Sequence, residues 1–409
     1  MANEIIERGY FNNGKAIPPD SILGITERYL KDPRPFKIDA GVGVFRIEKD
    51  ITYKPTAVRI AAVGVNINYW PGGYLSPQGE REWAGEEAFL EGVARIVFGS
   101  KARELLDDYK LAAVGTTGGT GALAVYAGAL VQRNPEDFVL ISNPTWGPHT
   151  TIFPNRGLKT ITYPHTKDNF FNLDAHLEAI KKSPPDTKIL FHTGRTHNPT
   201  GTNPSTDGEW RILAQSLEGR RAIFDAAYAG FVDGLQEDTK PIRIFMEEGV
   251  SVAVAFSFSK NAGLYEQRVG ALLIPLAELS REEVLDTQRL LNFSLRNLDS
   301  SPSAYGERIM SEVLSSGELM DEWKRNLAYA ASTLKARRER LAKLVPQASY
   351  VKDQYGLFSL FPLTRDQVKI LESDYAIYMT ADGRVNIGGV VDSQIERLGN
   401  SIKEVISKG

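Results

Sequence analysis

The chain contains no cysteine. Disulfides, thiolate metal sites and thiol nucleophiles are therefore excluded, and the composition fits a reducing compartment such as the cytoplasm. An excess of one charge is also missing. Lys and Arg number 48 against 51 Asp and Glu, a formal net charge of −3 with no basic or acidic block. Neither nucleic acid nor a membrane surface is expected as a partner. Histidine is scarce, with five residues spread along the sequence and no spacing of metal ligands, so no metal is expected. The first residues, MANEIIERGY, have no apolar core of the signal-peptide kind. Long apolar runs are absent apart from Leu111–Gln132, an uncharged stretch of about 22 residues, long enough to cross a bilayer. It contains Thr116-Thr117-Gly118-Gly119-Thr120-Gly121, whose polar and flexible groups would be costly in lipid. The stretch reads instead as a strand, a turn and a buried helix.

What is present is an ordinary globular composition, 42% apolar and 24% charged over 409 residues. That length suggests a large and a small domain, or two to three domains. Short apolar runs over 138–142, 159–163, 188–192, 221–225, 251–257 and 270–275 read as strands. Helix-period segments such as 173–182 and 207–216 lie between them. The alternation predicts an α/β domain with a mostly parallel sheet sandwiched by helices. A long Ala-, Leu-, Lys- and Arg-rich helix is predicted over 319–344. Strands are then expected over 356–361, 376–380 and 384–387. Ile395, Leu398, Ile402 and Val405 form a 3.6-residue stripe on a final helix. The expected division is an N-terminal arm and part of a small domain over 1–45, a large domain over 46–315, and a small α+β domain over 316–409.

Ser257-Phe258-Ser259-Lys260 closes an apolar run, and Arg268 follows eight residues after the lysine. An isolated lysine is most often a solvated charge. Held at a strand end, it can form a Schiff base with an aldehyde, and the arginine can neutralise a phosphate. Pyridoxal 5'-phosphate (PLP) carries both groups. Gly118-Gly119-Thr120-Gly121 sits where a loop feeds a helix, so its backbone N–H groups can face an anion. Without a ligand it is a tight turn, and it matches neither a dinucleotide fingerprint nor a P-loop. Trp146, on the loop after 138–142, can stack on a flat ring, or it can be core. His149 follows on the same loop. Asn198, in His197-Asn198-Pro199-Thr200-Gly201, can donate to a ring oxygen, or it marks a plain turn. Asp225 ends an apolar strand, where a carboxylate needs a partner. A protonated ring nitrogen would provide one, and capping the next helix is the alternative. Tyr228 lies three residues on. Arg384 enters a late strand and can hold a carboxylate through two parallel N–H bonds.

In this order on one α/β chain, these motifs resemble the fold-type I PLP-dependent aminotransferases of class I, in the aspartate and aromatic branch. The resemblance runs from about Lys37 to the C-terminus. It implies that Lys260 is the Schiff-base lysine and proton shuttle and that Asp225 is the partner of the ring nitrogen. Asn198 and Tyr228 resemble ligands of the ring oxygen, and Trp146 the residue stacked on the ring. Gly118, Gly119, Thr120, Ser257 and Arg268 resemble the phosphate cup. Tyr74 resembles a phosphate ligand lent by a neighbouring subunit, which implies a homodimer. Arg384 resembles the anchor of the substrate α-carboxylate, Gly43 a backbone contact to substrate, and His149 the histidine behind the aspartate. The implied activity is ping-pong transamination between an L-amino acid, dicarboxylic or aromatic, and a 2-oxo acid. A lyase or decarboxylase of the same fold would use the same lysine. A dinucleotide-dependent oxidoreductase lacks its fingerprint, and a DNA-binding regulator lacks a basic helix.

The match departs around Arg296, which resembles an arginine that crosses the dimer to bind a distal carboxylate. Asp299 stands where the family usually has an aromatic residue, and Ser301 where asparagine is common. Pro148 replaces a frequent asparagine, and one extra residue lies between His192 and His197, in the stretch that includes Arg195. An Asp299–Arg296 pair would compete with an acidic substrate, since charges about 4 Å apart interact by ~4 kcal/mol at an effective dielectric of about 20. If Asp299 faces elsewhere, a preference for acidic substrates survives. An aminotransferase for an unusual amino acid is thus the second expectation.

Overall fold

The computed structural model describes residues 23–65 and 73–408. The first 22 residues, about half of the expected 1–45 segment, lie outside the described residues. The centre is a seven-stranded sheet built from β1 (Leu111–Thr117), β2 (Phe138–Asn143), β3 (Lys159–Pro164), β4 (Lys188–His192), β5 (Arg221–Ala226), β6 (Val252–Ser257) and β7 (Val269–Pro275). Their order across the sheet is β1-β7-β6-β5-β4-β2-β3. Only β7 runs antiparallel to its neighbours; the sheet is mostly parallel, as the sequence predicts.

Parallel strands are covered on both faces, and residues along them alternate between two cores. Ala222, Phe224 and Ala226 join one core, while Ile223, Ala253 and Ala255 join the other. The second core is covered by α1 (Gly118–Arg133) and α4 (Arg281–Leu298), the first by α3 (Asp207–Gln215) and α5 (Ala304–Ser315) among others; α2 (Leu173–Lys182) follows β3. The uncharged stretch is therefore β1 followed by α1. Among the described residues, no helix is long and apolar enough to cross a membrane.

A third core gathers Ile38, Ala40 and Phe45 with residues from 330 onward. Around it, strand Ile38–Asp39 pairs with Ile377–Tyr378, and Phe358–Leu360 with Arg384–Asn386. The last helix, α7 (Asp392–Lys408), buries the predicted stripe Ile395, Leu398, Ile402 and Val405. Between the cores runs α6 (Gly317–Leu344). Its Trp323 and Leu327 belong to the first core, and its Ala330, Leu334 and Leu341 to the third.

The strand directions decide where chemistry can sit. β1, β2, β4, β5 and β6 all end at one edge of the sheet. Because β7 is antiparallel, it starts at that edge, with Val269 opposite Thr117 and Gly270 opposite Ser257. The carboxyl ends of parallel strands are the usual ligand edge of such sheets.

Candidate active site

Five loops meet at that edge. Asp225, at the end of β5, is 5% exposed. Its Oδ1 accepts the Ala227 N–H at 3.0 Å, a turn contact rather than a helix cap. Its Oδ2 lies 3.1 Å from His149 Nε2. Burial works to raise the carboxyl, but the His149 hydrogen bond, with His192 and Lys260 nearby, holds it below the ordinary value. Lys260 follows β6. Its amine is pushed down to about 8 by burial, with Asp225 opposing and Arg268 adding to the shift. The ammonium lies 5.1 Å from the Tyr228 ring centroid. Among the described residues, no carboxylate is within ion-pair distance of it. The next residue is held firmly: Trp323 Nε1 donates to Asn261 O at 2.9 Å, and Asn261 Nδ2 donates to Ala229 O at 3.1 Å.

Asn198, Tyr228 and Arg384 form a connected group. Asn198 Nδ2 lies 3.3 Å from Tyr228 Oη, and Arg384 Nη1 lies 3.4 Å from Asn198 Oδ1. Arg384 Nη2 donates to Gly41 O at 2.8 Å. Its guanidinium is 5% exposed, and its Nε has no hydrogen-bond partner. A buried cation without an acidic partner is costly, and a bound carboxylate would relieve it. Gly43 lies in the same loop, where an added Cβ would sit 3.1 Å from Phe358. Trp146 packs edge-on against His149, with ring centroids 5.2 Å apart.

The glycine loop and Arg268 form a cradle. Gly118 has φ +73, and an added Cβ would lie 2.8 Å from Arg268 Nη2. A Cβ on Gly119 would meet Ser257 at 3.3 Å. Arg268 itself has φ +53, a conformation that costs energy in a non-glycine residue. It donates to Ser259 Oγ at 3.1 Å and to Thr117 O at 2.9 Å. Thr120 is exposed, in the first turn of α1.

Sequence reasoning missed several residues here. Ser259 orients Arg268, and its spacing of two from Ser257 was the available signal. Thr117 is tied to Asp299, its Oγ1 lying 2.8 Å from the Oδ2. The histidines, spread along the sequence, converge in space. His149, His192, His197, His165 and His176 follow one another with ring centroids 5.2, 4.5, 3.5 and 5.2 Å apart. They form no group suited to a metal among the described residues. Burial pushes His165 down to about 4 and His192 to about 3.

Two expected site residues are exposed in this chain. Tyr74 is 72% exposed. Arg296 is exposed and donates to Ser300 Oγ at 2.5 Å rather than pairing with Asp299. The extra residue before His197 falls in a loop where Arg195 lies over the Tyr355 ring and pairs with Asp233.

A buried amine, a carboxylate held ionised and a glycine cradle at a parallel-sheet edge define a class of carbonyl-cofactor enzyme. The family model for aminotransferase class I and II matches residues 81–402, and the chain belongs to that family. It is 32% identical over 414 residues to the cytoplasmic aspartate aminotransferase of Saccharomyces cerevisiae, covering 97% of each chain. It is 33% identical over 405 residues to the aromatic-amino-acid aminotransferase of Pseudomonas aeruginosa, covering 97% of this chain and 99% of the other. Its structure superposes on the aromatic-amino-acid aminotransferase of Burkholderia pseudomallei, solved covalently bound to pyridoxal phosphate, with a TM-score of 0.89 and 30% identity over 97% and 99% of the two chains. The protein is a PLP-dependent transaminase of the aspartate and aromatic branch.

Proposed function

We propose that this enzyme exchanges the amino group of an aspartate-, glutamate- or aromatic-type L-amino acid with a 2-oxo acid, using Lys260. The observation that carries the reading is the buried Lys260 amine, lowered to about 8, within electrostatic reach of Asp225. PLP, when bound, supplies an aldehyde for an amine and a ring that accepts electrons from the substrate carbon. Asp225 keeps a proton on the ring nitrogen, with His149 fixing the carboxylate. Asn198 and Tyr228 hold the ring oxygen, and Trp146 covers the ring face. Gly118, Gly119, Thr120, Ser257 and Arg268 cradle the phosphate. Arg384 holds the substrate α-carboxylate beside Gly43. Lys260 Nζ is the group that would take and return the α-proton, work suited to an amine that is readily neutral near pH 8.

The proposal extends to a homodimer in which Tyr74 and Arg296 serve the neighbouring site. Their exposure, with that of Ile60, Val63 and Phe293, supports it. Residues 46–315 are taken as the large domain, 316–409 as the small one, and 1–45 as arm and part of the latter. The cytoplasm is the proposed location; relatives are named as cytoplasmic and as mitochondrial enzymes.

The second reading, an unusual amino acid as donor, draws on Asp299. The separate partners of Arg296 and Asp299 leave the arginine unneutralised within the chain, which favours acidic donors over an unusual one. The test is the visible spectrum of the PLP-loaded protein with amino acids added singly, together with product analysis. Conversion to pyridoxamine phosphate with one equivalent of 2-oxo acid is expected, fastest with acidic or aromatic donors. A spectrum unchanged by every donor, or carbon dioxide as product, would overturn the reading.

A further inference from the structure

α4 ends in a tight turn whose three residues each reach a different partner. Ser301 N–H donates to Asp299 O at 2.7 Å. The turn places Ser300 at φ +66, a left-handed conformation that a serine keeps only when its surroundings hold it. Three contacts hold it. Arg296 Nη1 donates to Ser300 Oγ. Leu75 N–H donates to Ser301 Oγ at 3.0 Å. Asp299 Oδ2 accepts from Thr117 Oγ1 at 2.8 Å.

Thr117 is the N-cap residue of α1, immediately before Gly118 and Gly119. A threonine at an N-cap usually turns its hydroxyl oxygen inward to accept a backbone N–H of the first turn. Here no side-chain cap bond forms. The hydroxyl proton points to Asp299 instead, and the Thr117 carbonyl is taken by Arg268 Nη2 at 2.9 Å. The residue is thus clamped on both sides. Clamped so, the segment leading into Gly118 and Gly119 is fixed, and no side-chain cap occupies the first N–H groups of α1. The hydroxyl also lies 2.4 Å from where a Cβ on Gly121 would stand, so this helix start tolerates no larger residue there without movement.

We propose that Asp299 is a positioning residue for the cofactor phosphate, acting through Thr117: its bond to the Thr117 hydroxyl, with Arg268 on the Thr117 carbonyl, fixes the backbone that leads into Gly118 and Gly119, from which the first N–H groups of α1 would meet the phosphate. The inference rests on the proposed phosphate cradle. It gives Asp299, a departure from the family pattern, a task in holding the cofactor rather than in pairing with Arg296.

The test is PLP binding to the apo-protein, followed by equilibrium titration and by the phosphorus-31 resonance of the bound phosphate. Asp299→Ala and Thr117→Val should each weaken PLP about tenfold, the scale of one hydrogen bond to a charged acceptor, and shift the resonance. The double variant should bind no worse than the weaker single one, because both remove one contact. Asp299→Asn and Thr117→Ser, which keep an acceptor and a donor, should recover most of the affinity. Wild-type binding with an unmoved resonance in Asp299→Ala, or losses that add in the double variant, overturns the proposal. Arg268→Ala separates the two levels. If it alone weakens PLP, the cradle stands and Asp299 has no part in it; if it binds PLP normally, the cradle reading fails. Should Asp299→Ala not fold, Thr117→Val against Thr117→Ser decides: equal affinity overturns the proposal, and weaker binding by the valine variant supports it.

Discussion

His149 uses both ring nitrogens to hold Asp225. Nε2 lies 3.1 Å from Asp225 Oδ2, and Nδ1 lies 2.9 Å from the Thr145 hydroxyl. A hydroxyl that donates to Nδ1 fixes the proton on Nε2, where it points at the carboxylate. Asp225 therefore has one oxygen on a backbone N–H and one on an imidazole, and stays ionised although buried.

Removing that imidazole should raise the Asp225 carboxyl. His149→Ala is expected to lower kcat/KM about tenfold, the scale of one charge-assisted hydrogen bond. The acid limb of its pH–rate profile should move to higher pH. An unchanged profile would place the imidazole outside the control of Asp225.

Lys260 should capture cofactor in a pH-dependent way. Its amine is lowered from 10.5 to about 8, and only the neutral form attacks an aldehyde. The rate of PLP capture by the apo-protein should rise with pH and level off above about 8. Lys260→Ala should still bind PLP without a borohydride-fixable bond and lose turnover by orders of magnitude. A capture rate still climbing steeply near pH 10 would contradict the lowered amine.

Arg384 has an unpartnered Nε and no acidic neighbour in contact. Arg384→Lys keeps the charge but loses the fork. It should raise KM for every amino acid and 2-oxo acid by about tenfold or more, with cofactor affinity nearly unchanged. A KM change confined to acidic substrates would move the α-carboxylate site elsewhere.

The histidine cluster should weaken the fold in acid. The unfolded chain takes up protons near 6.5, whereas folded His165 resists until about 4. Stability is full above about 6.5 and falls as pH drops towards 4, by about 3 kcal/mol for this residue alone. Urea midpoints measured from pH 7.5 to 4.5 should show the decline, and His165→Phe should flatten it. Equal slopes in both proteins would mean that the buried ring does not drive the loss.

Much of this site was legible because its residues follow strand ends that the sequence marks clearly. Lys188–His192 and Leu173–Lys182 form with the bounds that their apolar spacing predicts. Asp225, Lys260, Asn198 and the glycine loop all follow such segments. What was not legible depends on register and on distance across the fold. His192 stands beside Asp225 because the two are paired across β4 and β5, and nothing in either strand's composition specifies that alignment. Thr117 and Asp299 are 182 positions apart, so their contact appears only once α4 is laid along β1. Tyr74 and Arg296 are exposed in the single chain, and nothing in their own segments specifies what would cover them.

Helix α6, with its 28 residues, is about 42 Å long at 1.5 Å per residue. Trp323 near one end grips the backbone beside Lys260, and the other end carries the core that holds Arg384. The helix is therefore a lever arm. A tilt of about 3° moves its far end by roughly 2 Å over that length, more than the tolerance of a hydrogen bond. A substitution at the pivot, around Trp323 or Leu327, would be read out as altered substrate grip far from where it was made.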